Sequence, residues 1–277
     1  MWRRSGIWIR GCGRRRSRGR CDVIFMNDPR PDSYYVARGF SVYYIANAVF
    51  NIVTTPMSYL RGIEEILGDM RAISLMRPFH RYTNLHDFIR NISTDIVTDE
   101  IDVEDGECRF LRTFLRLYAV DCPEEALADT EAFWEFVSES DAFHTAMDEL
   151  TDEVFHVLFN DVGFLHKFNR LCADHIEISG FGENLKTARG TLKRVRIPVW
   201  ARRAVFYRDK GECRSCKRSL AALITQLETE RYDHVVPLAR YGPNDLTNLQ
   251  LLCESCNLKK AASELPVSNL YLRAVIS

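Results

Sequence analysis

Two Cys-x-x-Cys pairs, Cys213/Cys216 and Cys253/Cys256, flank the run Asp233-His234-Val235-Val236-Pro237-Leu238, and Asn257 follows the last cysteine directly. Four thiolates at this spacing can hold one zinc ion tetrahedrally, and an ion enclosed by four protein ligands keeps no position open for substrate. Such an ion staples two distant stretches of chain together. Chemistry then falls to the polar residues that the staple positions. The bland alternative, four buried thiols, requires the same pairing to arise by coincidence on both sides of one core.

The other five cysteines, Cys12, Cys21, Cys108, Cys122 and Cys172, are scattered singly. Nine is an odd total, and Gly6-Ile7-Trp8-Ile9 is too short an apolar core for a secretory signal. Reduced thiols plus one metal site fit this usage better than a disulfide framework, so a reducing, cytoplasmic setting is expected. The net charge of −1 conceals an asymmetry. Residues 1–21 carry eight arginines and no acid, residues 22–190 carry 14 basic against 30 acidic side chains, and residues 191–277 carry 15 against eight. A basic carboxy-terminal part can meet phosphate, whereas the acidic middle repels it.

At 277 residues the chain is comfortable as two domains. Residues 1–25, with Arg14-Arg15-Arg16, bury no apolar face and read as a disordered basic arm. Three origins compete for it: a start-site artefact with Met26 as the true beginning, a nucleic-acid-binding tail, or a targeting segment. Residues 26–178 read as a helical domain of unknown role. Phe110, Leu111, Phe114, Leu115 and Tyr118 recur at helical spacing, as do Met147, Leu150, Val154, Phe155 and Leu158, and Pro123-Glu124-Glu125 is a good helix start. The uncharged stretch from Phe40 to Met57 raises the possibility of a membrane span, but Asn47, Asn51, Thr54, Thr55 and Pro56 interrupt it, and a buried helix ending before Pro56 is expected. No membrane association is anticipated. Six of the seven histidines lie in this domain without a ligand partner at convincing spacing.

Gly180, Gly182 and Gly190 mark a linker over residues 179–196, and residues 197–277 form the module that carries chemistry. Pro198 opens a helix whose Arg202, Arg203 and Arg208 stay wet and are candidate phosphate contacts, and Gly211 ends it. Glu230–Leu238 reads as a strand, Ala239–Thr247 as a loop, Leu249–Leu252 as a second strand and Glu254–Ser263 as a short helix bearing Lys259 and Lys260, two further phosphate candidates. The segment Lys217–Tyr232 is expected to add a small helix. His234 is the only histidine of the module. A neutral imidazole can take a proton from water near neutral pH, which makes His234 the general base. A hard divalent ion on oxygen ligands can compensate charge on a phosphoryl oxygen and on the leaving oxygen.

The segments Arg208–Cys216, Asp233–Leu238 and Asn244–Lys260 resemble the zinc-knuckle HNH endonucleases over about residues 197–262. The resemblance implies a small α+β ββα-metal module behind the mainly α domain, and hydrolysis of DNA to 5′-phosphate and 3′-hydroxyl ends. It also implies that Asp233 and Asn257 hold the catalytic metal, magnesium or manganese, and that Asn248 supports the loop bearing His234 and orients the imidazole. The third position of the family motif is Asn257 here instead of histidine, a permitted oxygen ligand. The competing class is a non-catalytic zinc-knuckle module that docks on nucleic acid while the helical domain recruits a protein partner. RNA is a further possible substrate, because gripping phosphate does not by itself distinguish sugars.

Overall fold

A computed structural model of the chain describes residues 40–58, 67, 72–102, 108–179, 185–220, 232–261 and 264. The basic arm and most of the segment expected as a small helix after Lys217 lie outside the described residues. In the uncharged stretch, α1 (Val42–Thr54) buries Ile45, Ala46, Val49, Ile52 and Val53 along one stripe and stops before Pro56, whose ring cannot continue it. Among the described residues no helix is long and apolar enough to cross a membrane.

Helices continue as α2 (Ala72–Leu75), α3 (Asn84–Thr98), α4 (Arg109–Leu117), α5 (Glu124–Ala128), α6 (Thr130–Glu139), α7 (Asp141–Phe159) and α8 (Val162–Ser179). Then come α9 (Val199–Arg208), β1 (Tyr232–His234), β2 (Leu249–Leu251) and α10 (Glu254–Lys260). The described chain is therefore mainly helical, with one small two-stranded sheet and a following helix near its carboxy-terminal end.

Two compact units divide these elements, one from the described residues of 1–41 and 94–146, the other from those of 42–93 and 147–277. The first is built on aromatic rings: Phe114, Phe133 and Phe143 are fully buried, and Phe114 meets Phe143 edge-on at 5.8 Å. Pro123 stands at the N-cap of α5, and Asp129 caps α6 by accepting from the Ala132 N–H at 2.8 Å.

In the second unit Phe50 stacks on Phe164 at 5.8 Å, Phe88 packs on Phe168 at 5.3 Å, and His86 stacks on Phe155 at 3.9 Å. The carboxy-terminal module lies in this unit together with α1 and α8. Residues 185–193, within the stretch expected as a linker, form a hairpin held by a Lys186–Leu192 bridge, and the Leu192 N–H donates to the Leu238 carbonyl at 3.3 Å. Strands β1 and β2 pair antiparallel in the register Tyr232–Leu251, Asp233–Gln250, His234–Leu249. Strand β1 is shorter than the run Glu230–Leu238 promised. Past His234 the Val235 and Val236 N–H groups bond to the backbone and side chain of Asn248, and the chain turns into a 3-10 helix, Leu238–Arg240. Helix α10 likewise ends at Lys260, where Ala261 takes φ 49.

Candidate functional site

Helix α9 delivers the first cysteine pair. Gly211 adopts φ 65, bonds its N–H to the Phe206 carbonyl at 2.9 Å and presses so close that a Cβ would stand 2.8 Å from the Phe206 ring, so glycine is required. The Arg214 N–H then reaches the Leu251 carbonyl at 2.9 Å, tying this knuckle to β2, and β2 leads directly to Cys253, the N-cap of α10. The Sγ atoms of Cys213, Cys216, Cys253 and Cys256 all lie within 4.8 Å of one another, with Cys216 and Cys253 at 3.7 Å. A tetrahedral zinc with Zn–S bonds of about 2.3 Å sets its sulfurs about 3.8 Å apart, so an all-sulfur cluster of this size fits zinc with no position left open. Burial pushes the Cys213 thiol up to about 12. Burial also opposes ionisation of Cys253, yet hydrogen bonds from Ser255 and from the Cys256 N–H bring that thiol down to about 6.

Between the strands, residues 235–248 form a loop that closes on Asn248. Its Oδ1 accepts from the Val236 N–H at 2.8 Å, and its Nδ2 donates to the carbonyls of Val236 and Pro243 at 3.0 and 2.9 Å. Gly242 lies inside this closure, where a Cβ would stand 2.0 Å from the Val236 carbonyl oxygen. His234, at the base of the loop, is 3 % exposed, and its Nε2 lies 3.2 Å from Asn244 Oδ1. Burial brings the imidazole down to about 4; Asp233 opposes the shift and Arg194 adds to it. The ring is therefore neutral at pH 7 and able to accept a proton.

Asp233 meets α10 through Lys260, whose Nζ lies 2.8 Å from Asp233 Oδ2 and donates to the His234 carbonyl at 2.9 Å. Asn257 stands one helical turn before Lys260 on the same face of α10, so that face, turned to β1, also carries the asparagine. A carboxylate, a carboxamide and a neutral imidazole thus sit on two elements joined by one ion pair, beside a four-sulfur cluster.

Residues 213–263 match the HNH endonuclease family model. No curated protein and no solved structure matches the chain. The helical region lies outside the HNH match.

The basic side chains expected at phosphate divide. Arg203 and Lys259 are exposed, but Arg202, Arg208 and Lys260 are buried, which corrects the reading of these three as solvated contacts. Helix α9 is covered on more sides than an amphipathic stripe implies. Arg208 forks onto Asp209 at 2.9 and 3.0 Å, donates to the Leu249 carbonyl at 2.6 Å and lies over the Phe159 ring at 5.1 Å. Asp209 in turn accepts from the Leu251 N–H at 2.9 Å. This buried pair fastens α9 to β2.

Several residues of the site were not singled out in the sequence. Asn244 and Asp245 fell there within an expected loop and the resembling segment, with no role of their own. In the structure Asn244 faces the imidazole, and its Nδ2 donates to the Lys193 carbonyl at 2.9 Å. Asp245 Oδ1 accepts from the Thr247 N–H at 2.8 Å and from its hydroxyl at 2.7 Å, while Oδ2 accepts from the Asn84 N–H at 3.2 Å. The spacing Asp245-x-Thr247 is a local capping signature and was legible as such. The long-range bonds were not.

Proposed function

We propose that the HNH module hydrolyses phosphodiester bonds in DNA with a divalent metal ion, and that His234 is its general base. The observation that carries the reading is a buried, neutral imidazole on the strand whose Asp233 carboxylate pairs with Lys260 of the helix that bears Asn257, within the residues that match the HNH family. His234 takes the proton of the attacking water. Asp233 and Asn257 offer the hard oxygen donors that suit magnesium or manganese, beside Lys260, which pairs with Asp233 Oδ2. An ion held by these two residues would compensate charge on the phosphoryl and leaving oxygens. Asn248 fixes the loop above His234, and zinc on Cys213, Cys216, Cys253 and Cys256 staples α9 to α10 without taking part in the reaction. Arg203 and Lys259 remain the phosphate contacts among the five basic candidates.

Supercoiled plasmid incubated with the purified chain and magnesium tests this. Conversion to nicked or linear DNA, lost on adding EDTA, is the expected result. A mobility shift that needs no magnesium and yields no cut product would instead assign the chain to the non-catalytic binding class. Cutting confined to a single-stranded RNA would move the substrate class.

A further inference from the structure

We propose that Asn244 is a positioning residue that fixes the tautomer of His234, and that the helices outside the HNH match hold it in place as a built-in brace. This rests on His234 being the base proposed above, but its geometry stands independently of cleavage. The carbonyl of Lys193 can only accept, so the Asn244 amide turns its Nδ2 toward it at 2.9 Å, which leaves Oδ1 toward His234. At 3.2 Å that oxygen can only accept, so the imidazole nitrogen facing it, Nε2, carries the proton. The lone pair then sits on Nδ1, on the other side of the ring. Asn244 thereby selects which nitrogen takes the proton of water.

Three residues of the helical region hold the stretch that carries Asn244. The Phe79 N–H donates to the Asn244 carbonyl at 2.7 Å, the Asn84 N–H at the start of α3 donates to Asp245 Oδ2 at 3.2 Å, and Asn169 of α8 meets the Thr247 hydroxyl at 3.2 and 3.3 Å. Asn84, Asn169, Asn244, Asp245 and Thr247 are all at least 95 % buried, so water cannot replace these partners without opening the unit. Phe79 itself holds φ 50, a left-handed backbone that a bulky residue seldom adopts and that this contact maintains. The helical region is thus continuous with the site.

The test uses the full chain labelled with nitrogen-15 histidine, with long-range proton–nitrogen spectra at neutral pH and the His234 signal identified by its loss in His234→Gln. Wild type is expected to give one Nε2–H tautomer at His234. Asn244→Ala should mix the tautomers and lower kcat about 10²-fold with KM unchanged. Asn169→Ala, remote from the reacting atoms, should do the same to a lesser degree, about tenfold. A folded Asn244→Ala protein that keeps the Nε2–H tautomer and wild-type kcat overturns the proposal. So does Asn169→Ala with both readouts unchanged, and this variant decides the matter if Asn244→Ala does not fold. Should wild type cut no nucleic acid, the nuclease reading fails, while the tautomer spectra still decide the brace.

Discussion

Replacing Asn248 by alanine removes three hydrogen bonds at the closure of the loop 235–248. The side chain is 0 % exposed, so neither its own atoms nor its partners reach bulk water. The Val236 N–H loses its acceptor at 2.8 Å, and the Val236 and Pro243 carbonyls lose donors at 3.0 and 2.9 Å. An orphaned buried group costs about 1–3 kcal/mol, and partial relaxation reduces the sum, so we expect a loss of about 4 kcal/mol. That is a large share of the stability of an ordinary domain, about 5–15 kcal/mol. Asn248→Asp sharpens the reasoning. It keeps the acceptor for Val236 but sets an oxygen against two carbonyl oxygens, so it should cost at least as much as alanine at neutral pH and less in acid, where the carboxyl can donate. Urea unfolding followed by circular dichroism, at neutral and acid pH, reads both effects. An alanine variant losing less than about 1 kcal/mol, or an aspartate variant with wild-type stability at neutral pH, would refute the account of the loop.

Gly242→Ala must push its Cβ off the Val236 carbonyl oxygen, 2.0 Å away, and should lower the thermal midpoint at least as much as Asn248→Ala; an unchanged midpoint contradicts the close approach. Burial depresses His86 from 6.5 to about 4, and its Nδ1 accepts the Thr83 N–H at 3.0 Å, a bond that protonation breaks. The neighbouring His156 adds to this shift, and Asp152, 3.4 Å from Nε2, is 64 % exposed and screened. Because the unfolded chain binds the proton first, stability should be full above about pH 6.5 and fall by about 3 kcal/mol as pH drops toward 4; His86→Gln should flatten that slope in denaturation series, and an unchanged slope contradicts it. Elemental analysis should find one zinc per chain, lost with Cys256→Ser, while a metal-free folded protein would contradict the sulfur cluster's role.

What could be read in advance follows the range of the interactions. Paired cysteines, the Asp233-His234 doublet, the uncharged stretch of α1 and the apolar stripes of α4 and α7 are local patterns, and each element appears where its pattern lies. The extent of β1 was misjudged because β-branched Val235 and Val236 favour a strand, whereas Asn248, 12 residues on, captures the Val236 N–H. Arg202 and Arg208 looked solvated because helical spacing reveals one buried stripe; both are buried, Arg208 by tertiary packing against β2 and Phe159. The bonds from Phe79, Asn84 and Asn169 to residues 244–247 span separations that no periodicity encodes.

The most direct measurement is single-turnover cleavage of supercoiled plasmid by His234→Ala, compared with wild type at equal zinc content and equal folded fraction. Removal of the base should slow cutting by about 10²–10⁴-fold while zinc and fold persist. Cleavage by His234→Ala at the wild-type rate would contradict the assignment of this imidazole as the group that takes the proton.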